Sequence, residues 1–154
     1  MYTQEDYRKL QAQIHKRFWL MLLPALVLLG LIVWSFVVRI KWLTMGLTIF
    51  LGALLIFFNG LFIAPLTAYK RHLEDALMGR TRQIKGAFKE MEEASVLRDG
   101  VVYYPMLISV GDPEDPEDDR LFYYDANLER PAFSQGDVLV ITAHDKFVTA
   151  WARA

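Results

Sequence analysis

Residues 18–38 read FWLMLLPALVLLGLIVWSFVV and residues 43–66 read LTMGLTIFLGALLIFFNGLFIAPL, with only Arg39, Ile40, Lys41 and Trp42 between them. Neither stretch carries an ionisable side chain. A helix rises about 1.5 Å per residue, so roughly 20 apolar residues cross a hydrocarbon core ~30 Å thick. The first stretch meets that length. The second exceeds it, which implies tilt or an extension into the headgroups. Two helices that are apolar all round need a solvent as apolar as themselves. A chain of 154 residues has too little other mass to cover both. The fold class expected is therefore a membrane α-helical hairpin of two transmembrane helices, 18–38 and 43–66, followed by a small all-β domain.

The first apolar run is longer than the core of a signal peptide, and no small-x-small site follows it, so it reads as a span rather than a leader. Basic residues set the expected orientation. Arg8, Lys9, Lys16 and Arg17 precede the first span, and Lys70, Arg71, Arg80, Arg82 and Lys85 follow the second. The turn between the spans holds only Arg39 and Lys41. Both ends are thus expected on the cytoplasmic side of a cell membrane, with Trp19 and Tyr69 at the inner interface and Trp42 at the outer one. Counting outward from Ile40 pairs Gly30 with Phe50 and Trp34 with Gly46. Each pair sets a ring beside a glycine, so Gly46→Leu is expected to weaken the hairpin. Asn59 is the one strongly polar residue of the second span and reads as a hydrogen-bonding position toward a neighbouring helix or a second copy. Pro24 and Pro65 lie near the cytoplasmic ends, where kinks and helix stops are tolerated.

Residues 1–17 and 67–79 flank the hairpin. Thr3-Gln4-Glu5-Asp6 resembles a capping box, and Tyr7, Leu10, Ile14 and Phe18 recur at helical spacing, predicting an amphipathic helix that continues into the first span or lies on the membrane. Tyr69, Leu73 and Leu77 give 67–79 a similar face, ended by Gly79. From residue 80 to 154 the period becomes alternating. Strands are predicted over 83–91 (with Gly86 as a bend), 95–98, 101–110, 120–124, 137–142 and 147–151; 90–95 has a helical alternative. Asp99-Gly100 and His144-Asp145-Lys146 mark hairpin turns. Val102, Tyr104, Met106, Ile108 and Val110 share one face. Six short strands of this kind suggest a small closed barrel, OB-like or SH3-like.

Tyr104-Pro105 after the Asp99-Gly100 turn, followed by Gly136-Asp137-Val138-Leu139-Val140, resembles the β module of uncharacterised bacterial membrane proteins that carry a Tyr-Pro element and a Gly-Asp-x-Val-x-Val run. The ending is also similar to the OB domain of NfeD-like proteins. The first group often places its module between the spans, and the second has more spans. Neither resemblance implies an activity.

The remaining chemistry is sparse. A formal net charge of -1 argues against nucleic acid as a partner, since no basic excess exists to neutralise phosphates. There is no cysteine, which excludes thiol chemistry and cysteine metal sites. The acidic run 112–119 could attract calcium but lacks the EF-hand spacing and glycine, and reads as a solvated loop. His15, His72 and His144 form no metal-binding motif. His15 and His72 are placed at the two membrane flanks, where either could titrate. Asp145 beside His144 is a turn pair, and no nucleophile or phosphate motif is present. Phe122, Tyr123, Tyr124 and Trp151 could stack on bases but read better as barrel core. No cofactor is expected. The functional expectation is a non-enzymatic membrane scaffold or accessory protein that contacts another membrane protein or its own copies. The alternative is a membrane-tethered sensor whose barrel takes a small ligand or ion.

Overall fold

The computed structural model describes all residues, Met1–Ala154, as two long apolar helices followed by a six-stranded sheet. It separates into two compact units, Arg8–Thr67 and the combination of Met1–Tyr7 with Ala68–Ala154.

Helix α1 runs unbroken over Gln4–Val37, so the predicted amphipathic helix and first span are one element. Its start is the expected capping box: Asp6 N donates to Thr3 Oγ1, and Thr3 N donates to Asp6 Oδ2 at 3.0 Å. It ends where Arg39 takes a left-handed conformation, φ 61°, closing a tight turn into helix α2, Lys41–Phe58. Ser35 is fully buried there. Its hydroxyl lies 2.9 Å from both Ile32 O and Thr44 Oγ1, and Thr44 Oγ1 lies 3.1 Å from Ile40 O; with one hydrogen each, one hydroxyl donates to the other, which donates to its own carbonyl. A hydroxyl pair beside the turn therefore joins the two helices.

After α2 the chain widens into a single π-turn, Asn59–Ile63, before helix α3, Ala64–Met78. Pro65 accounts for it. Its ring would crowd the carbonyl of Leu61 and it has no N–H to offer, so the preceding turn expands. The nearby carbonyls are served from outside the ladder: Arg17 Nη1 donates to Phe62 O at 2.9 Å, and Thr67 Oγ1 to Ile63 O at 3.0 Å. Near Pro65, where a kink or a helix stop is tolerated, the helix instead carries a turn with one extra residue.

The strands are β1 (Arg82–Met91), β2 (Val96–Arg98), β3 (Val101–Ser109), β4 (Asp119–Asp125), β5 (Val138–His144) and β6 (Phe147–Arg153). Residues 92–95 are irregular rather than helical. The sheet order is β1-β5-β6-β4-β3-β2, and an additional β1–β3 pairing closes five of the strands into a ring with β2 as a short flap on β3. All neighbours are antiparallel except β4 and β6. A bulge between Phe88 and Glu90 lets β1 turn from β5 to β3. Gly86 sits where a Cβ would press on Ser109 O and lie 2.6 Å from Ile108 Cγ2, so the bend is a close backbone approach. Pro105 lies where β3 passes from β1 to β2, opposite the irregular residues, and its carbonyl accepts from Glu92 N.

The ring interior holds Phe88, Met106, Ile108, Phe122, Tyr124, Leu139, Ile141, Ala143 and Val148. Of the residues predicted to share one face of β3, Met106 and Ile108 are buried, and Val102 and Val110 at its ends are 38% and 37% exposed. The opposite face is not solvent. Val101 and Tyr103 are buried with Tyr123 in a second cluster, against which Ala68, Tyr69, Val96 and Phe147 pack. The start of α3 supplies part of this cover, and the φ of Gly100 (+79°) together with the nearness of Ala68 Cβ leaves no room for a side chain at that turn.

Ile108 is fully buried and Val138 is 44% exposed. Ile108→Ala should therefore lower stability by about 2–5 kcal/mol and Val138→Ala by less than about 1 kcal/mol. Unfolding of the intact chain in detergent, followed by near-ultraviolet circular dichroism, checks the contrast.

Candidate functional site

The second cluster of the β unit contains its most unusual chemistry. Asp125, at the end of β4, is 0% exposed. A carboxylate taken out of water needs donors on both oxygens. Oδ2 accepts from Tyr2 Oη at 3.0 Å and from Tyr69 Oη at 2.8 Å; Oδ1 accepts from the backbone N and the Nδ2 of Asn127, both at 2.9 Å. The Asn127 bonds are an Asx turn made by Asp125-Ala126-Asn127. The tyrosine bonds reach 123 and 56 residues along the chain.

His72, 8% exposed, extends the network. Its Nε2 is 2.9 Å from Tyr2 Oη and its Nδ1 is 3.0 Å from Tyr103 Oη. The bonding order follows from Asp125. A carboxylate only accepts, so the Tyr2 hydroxyl hydrogen goes to Asp125. Tyr2 Oη then accepts from His72 Nε2–H, and His72 Nδ1 accepts from Tyr103. The chain runs Tyr103 to His72 to Tyr2 to Asp125 and requires a neutral imidazole. Rings of Tyr2, Tyr103 and Phe147 meet His72 edge-on at centroid distances of 5.4, 5.4 and 6.0 Å.

The electrostatics agree with that order. Burial pushes the hydroxyls of Tyr2, Tyr69 and Tyr103 far above the phenol range, reinforced by the Asp125 charge. Burial also holds His72 below the ordinary histidine value, assisted by His144 and opposed by Asp125 and Asp75. Beside the network, Tyr7 Oη donates to Glu74 at 2.7 Å, and Lys70 Nζ lies 5.5 Å over the Tyr7 ring. A cavity of about 220 Å³ adjoins His72 and Tyr103 and is rimmed by Arg71, Asp75, His144 and Phe147.

Sequence reasoning placed Tyr69 at the membrane interface and His72 at a membrane flank; both lie inside this cluster. It gave Tyr2 and Asp125 no role. The Asp-x-Asn spacing after an aromatic strand was the one local signal. The hairpin positions fare differently. Gly30 and Gly46 have open space where a Cβ would stand, and Trp34 and Phe50 are 55% and 57% exposed. The rings therefore do not rest on these glycines, and Ser35 with Thr44 is the contact instead. Asn59 is exposed at the start of the π-turn.

The carboxylates of the acidic loop cap backbone amides: Asp118 accepts from Asp112 N, Asp112 from Glu114 N, and Asp115 from Glu117 N. No group of three or more His, Asp or Glu side chains is arranged to hold a metal ion. His15 accepts from Trp19 Nε1, and His144 Nδ1 bonds Arg80 O at 2.8 Å. Phe122, Tyr123 and Tyr124 are buried and Trp151 is partly buried, so they form no exposed stacking surface. Comparison with protein-family models, curated proteins and solved structures finds no match to this chain.

Tyr69→Phe removes one donor from a buried carboxylate and should cost about 1.5–3 kcal/mol. The thermal midpoint of the intact chain reads it. The neutral His72 adds a pH dependence. Unfolded, the imidazole takes a proton near pH ~6.5; folded, it does so at lower pH. Its contribution is complete above about pH 6.5 and is lost as pH falls through the window between those two values. The midpoint should drop between pH 7 and pH 5, roughly, and this part of the drop should vanish in His72→Gln.

Proposed function

We propose that the chain is a two-pass membrane protein, spanning at 18–38 and 43–66, whose β unit is a non-enzymatic contact module on the cytoplasmic side. One observation carries the reading: the most apolar window of the Lys41–Met78 helical segment is 0% buried and that of Gln4–Val37 only 11%. Surfaces so apolar and so uncovered suit lipid as their solvent. The residues before and after the hairpin, Met1–Tyr7 and Ala68 onward, belong to one compact unit, which supports placing both ends on one side. The basic residues of those flanks favour the cytoplasmic side.

The ring order and the parallel β4–β6 contact favour an OB-like barrel over an SH3-like one. Within the helical unit the hydroxyls of Ser35, Thr44, Thr48 and Thr67 each lie within hydrogen-bond distance of a backbone carbonyl. Asn59 has no such partner, and its carboxamide both donates and accepts, as pairing with a second copy or a neighbouring membrane protein requires. The cavity beside His72 favours, as a second reading, a membrane-tethered sensor that takes a small ligand.

Alkaline extraction of membranes followed by crosslinking in mild detergent tests the proposal. The chain should stay in the pellet and crosslink to itself or to another membrane protein, and Asn59→Leu should reduce self-crosslinking. Recovery in the supernatant contradicts the spans. A chain that stays in the pellet but crosslinks to nothing contradicts the contact role.

A further inference from the structure

Tyr2 stands on a segment, Met1–Thr3, that lies outside helix α1. Its hydroxyl bonds to His72 and Asp125, and its ring meets the edge of His72. The other members of the network are held more firmly. Tyr103 is part of β3 and 2% exposed, Asp125 is part of β4, and Tyr69 and His72 lie on α3. Met1, next to Tyr2, is 41% exposed.

The titratable and charged groups that face His72 come from several elements. Tyr2 comes from the segment, Tyr69, Arg71 and Asp75 from α3, Tyr103 from β3, Asp125 from β4, and His144 from β5. Asp99 and Asp145, from the two hairpin turns, border the same cavity. Nδ1 is the one imidazole nitrogen without a hydrogen. A proton added there points at Tyr103 Oη, whose own hydrogen then has no acceptor. The cation this creates is relieved by water. Tyr2 is the cover most easily lifted to admit it, because Met1 and Tyr2 belong to no helix or strand and precede the Thr3 cap of α1.

We propose that Met1–Tyr2, ahead of the Thr3 cap, is an acid-released strap: protonation of His72 at Nδ1 breaks the bond from Tyr103, and hydration of the resulting cation lifts Tyr2 from the β unit. At neutral pH the strap couples the start of α1 to β4 and closes one side of His72. In acid it leaves, exposing Asp125 Oδ2 and His72 Nε2 to solvent beside the existing cavity. The direction matches the effect of burial on the imidazole, which resists the proton until the cover opens. The strap is independent of what the β unit contacts.

Hydrogen exchange of the full chain in lipid nanodiscs, corrected for intrinsic rates, reads the strap through the peptide covering residues 1–7. The wild type should exchange about tenfold faster at roughly pH 5 than at pH 7.5. Gln in place of His72 donates to Tyr2 and accepts from Tyr103 without titrating, so His72→Gln should lose that acceleration. Tyr2→Phe should exchange fast at both pH values, which keeps the test valid if His72→Gln fails to fold. Equal exchange of the wild type at both pH values overturns the proposal. So does an acid response that survives in His72→Gln, or a Tyr2→Phe variant as protected as the wild type at pH 7.5.

Discussion

A carboxylate at 0% exposure, Asp125, organises the β unit. An ion removed from water is tolerated only where fixed dipoles replace its hydration, and losing one of them costs more than an ordinary hydrogen bond. Two of the replacements come from the Asx turn next to Asp125, and two come from tyrosines on the chain segments that lead into and out of the helical hairpin. Their placement on the β unit therefore follows from the needs of one side chain. His72 lies between Tyr2 and Tyr103, so the same constraint fixes its tautomer and protonation state.

The two-faced character of β3 follows from the same arrangement. Alternation along a strand normally divides core from solvent. Here Met106 and Ile108 fill the ring interior, while Val101 and Tyr103 meet the start of α3 on the outside. The bulge in β1, the close approach at Gly86 and the position of Pro105 are the local devices that let β3 pair with three different strands. A strand covered on both faces tolerates little volume change, because neither side can relax into water.

Much of this architecture was legible because its signals are local. Two uninterrupted apolar runs specify long helices, Thr3 and Asp6 form the predicted cap, and Asp99-Gly100 marks its hairpin. The strand limits differ from the predicted ones by one or two residues. The Asp125 network was not legible. Tyr2, Tyr69, His72 and Tyr103 each have an ordinary local reading, and only the closed ring with α3 against it brings them together. The π-turn was hidden for a related reason: Pro65 announces a disturbance, but whether a helix kinks, stops or widens depends on which donors take the freed carbonyls, and Arg17 lies 45 residues away. The glycines of the hairpin misled because equal depth in two helices does not mean facing surfaces.

The order of the β unit depends on the coupling between Tyr2 and Asp125. A double-mutant cycle of Tyr2→Phe and Asp125→Asn, read from the unfolding free energy of the intact chain in detergent at neutral pH, measures that coupling directly. A coupling energy of about 1–3 kcal/mol is expected for a bond between a hydroxyl and a buried carboxylate. Effects of the two substitutions that simply add would contradict it.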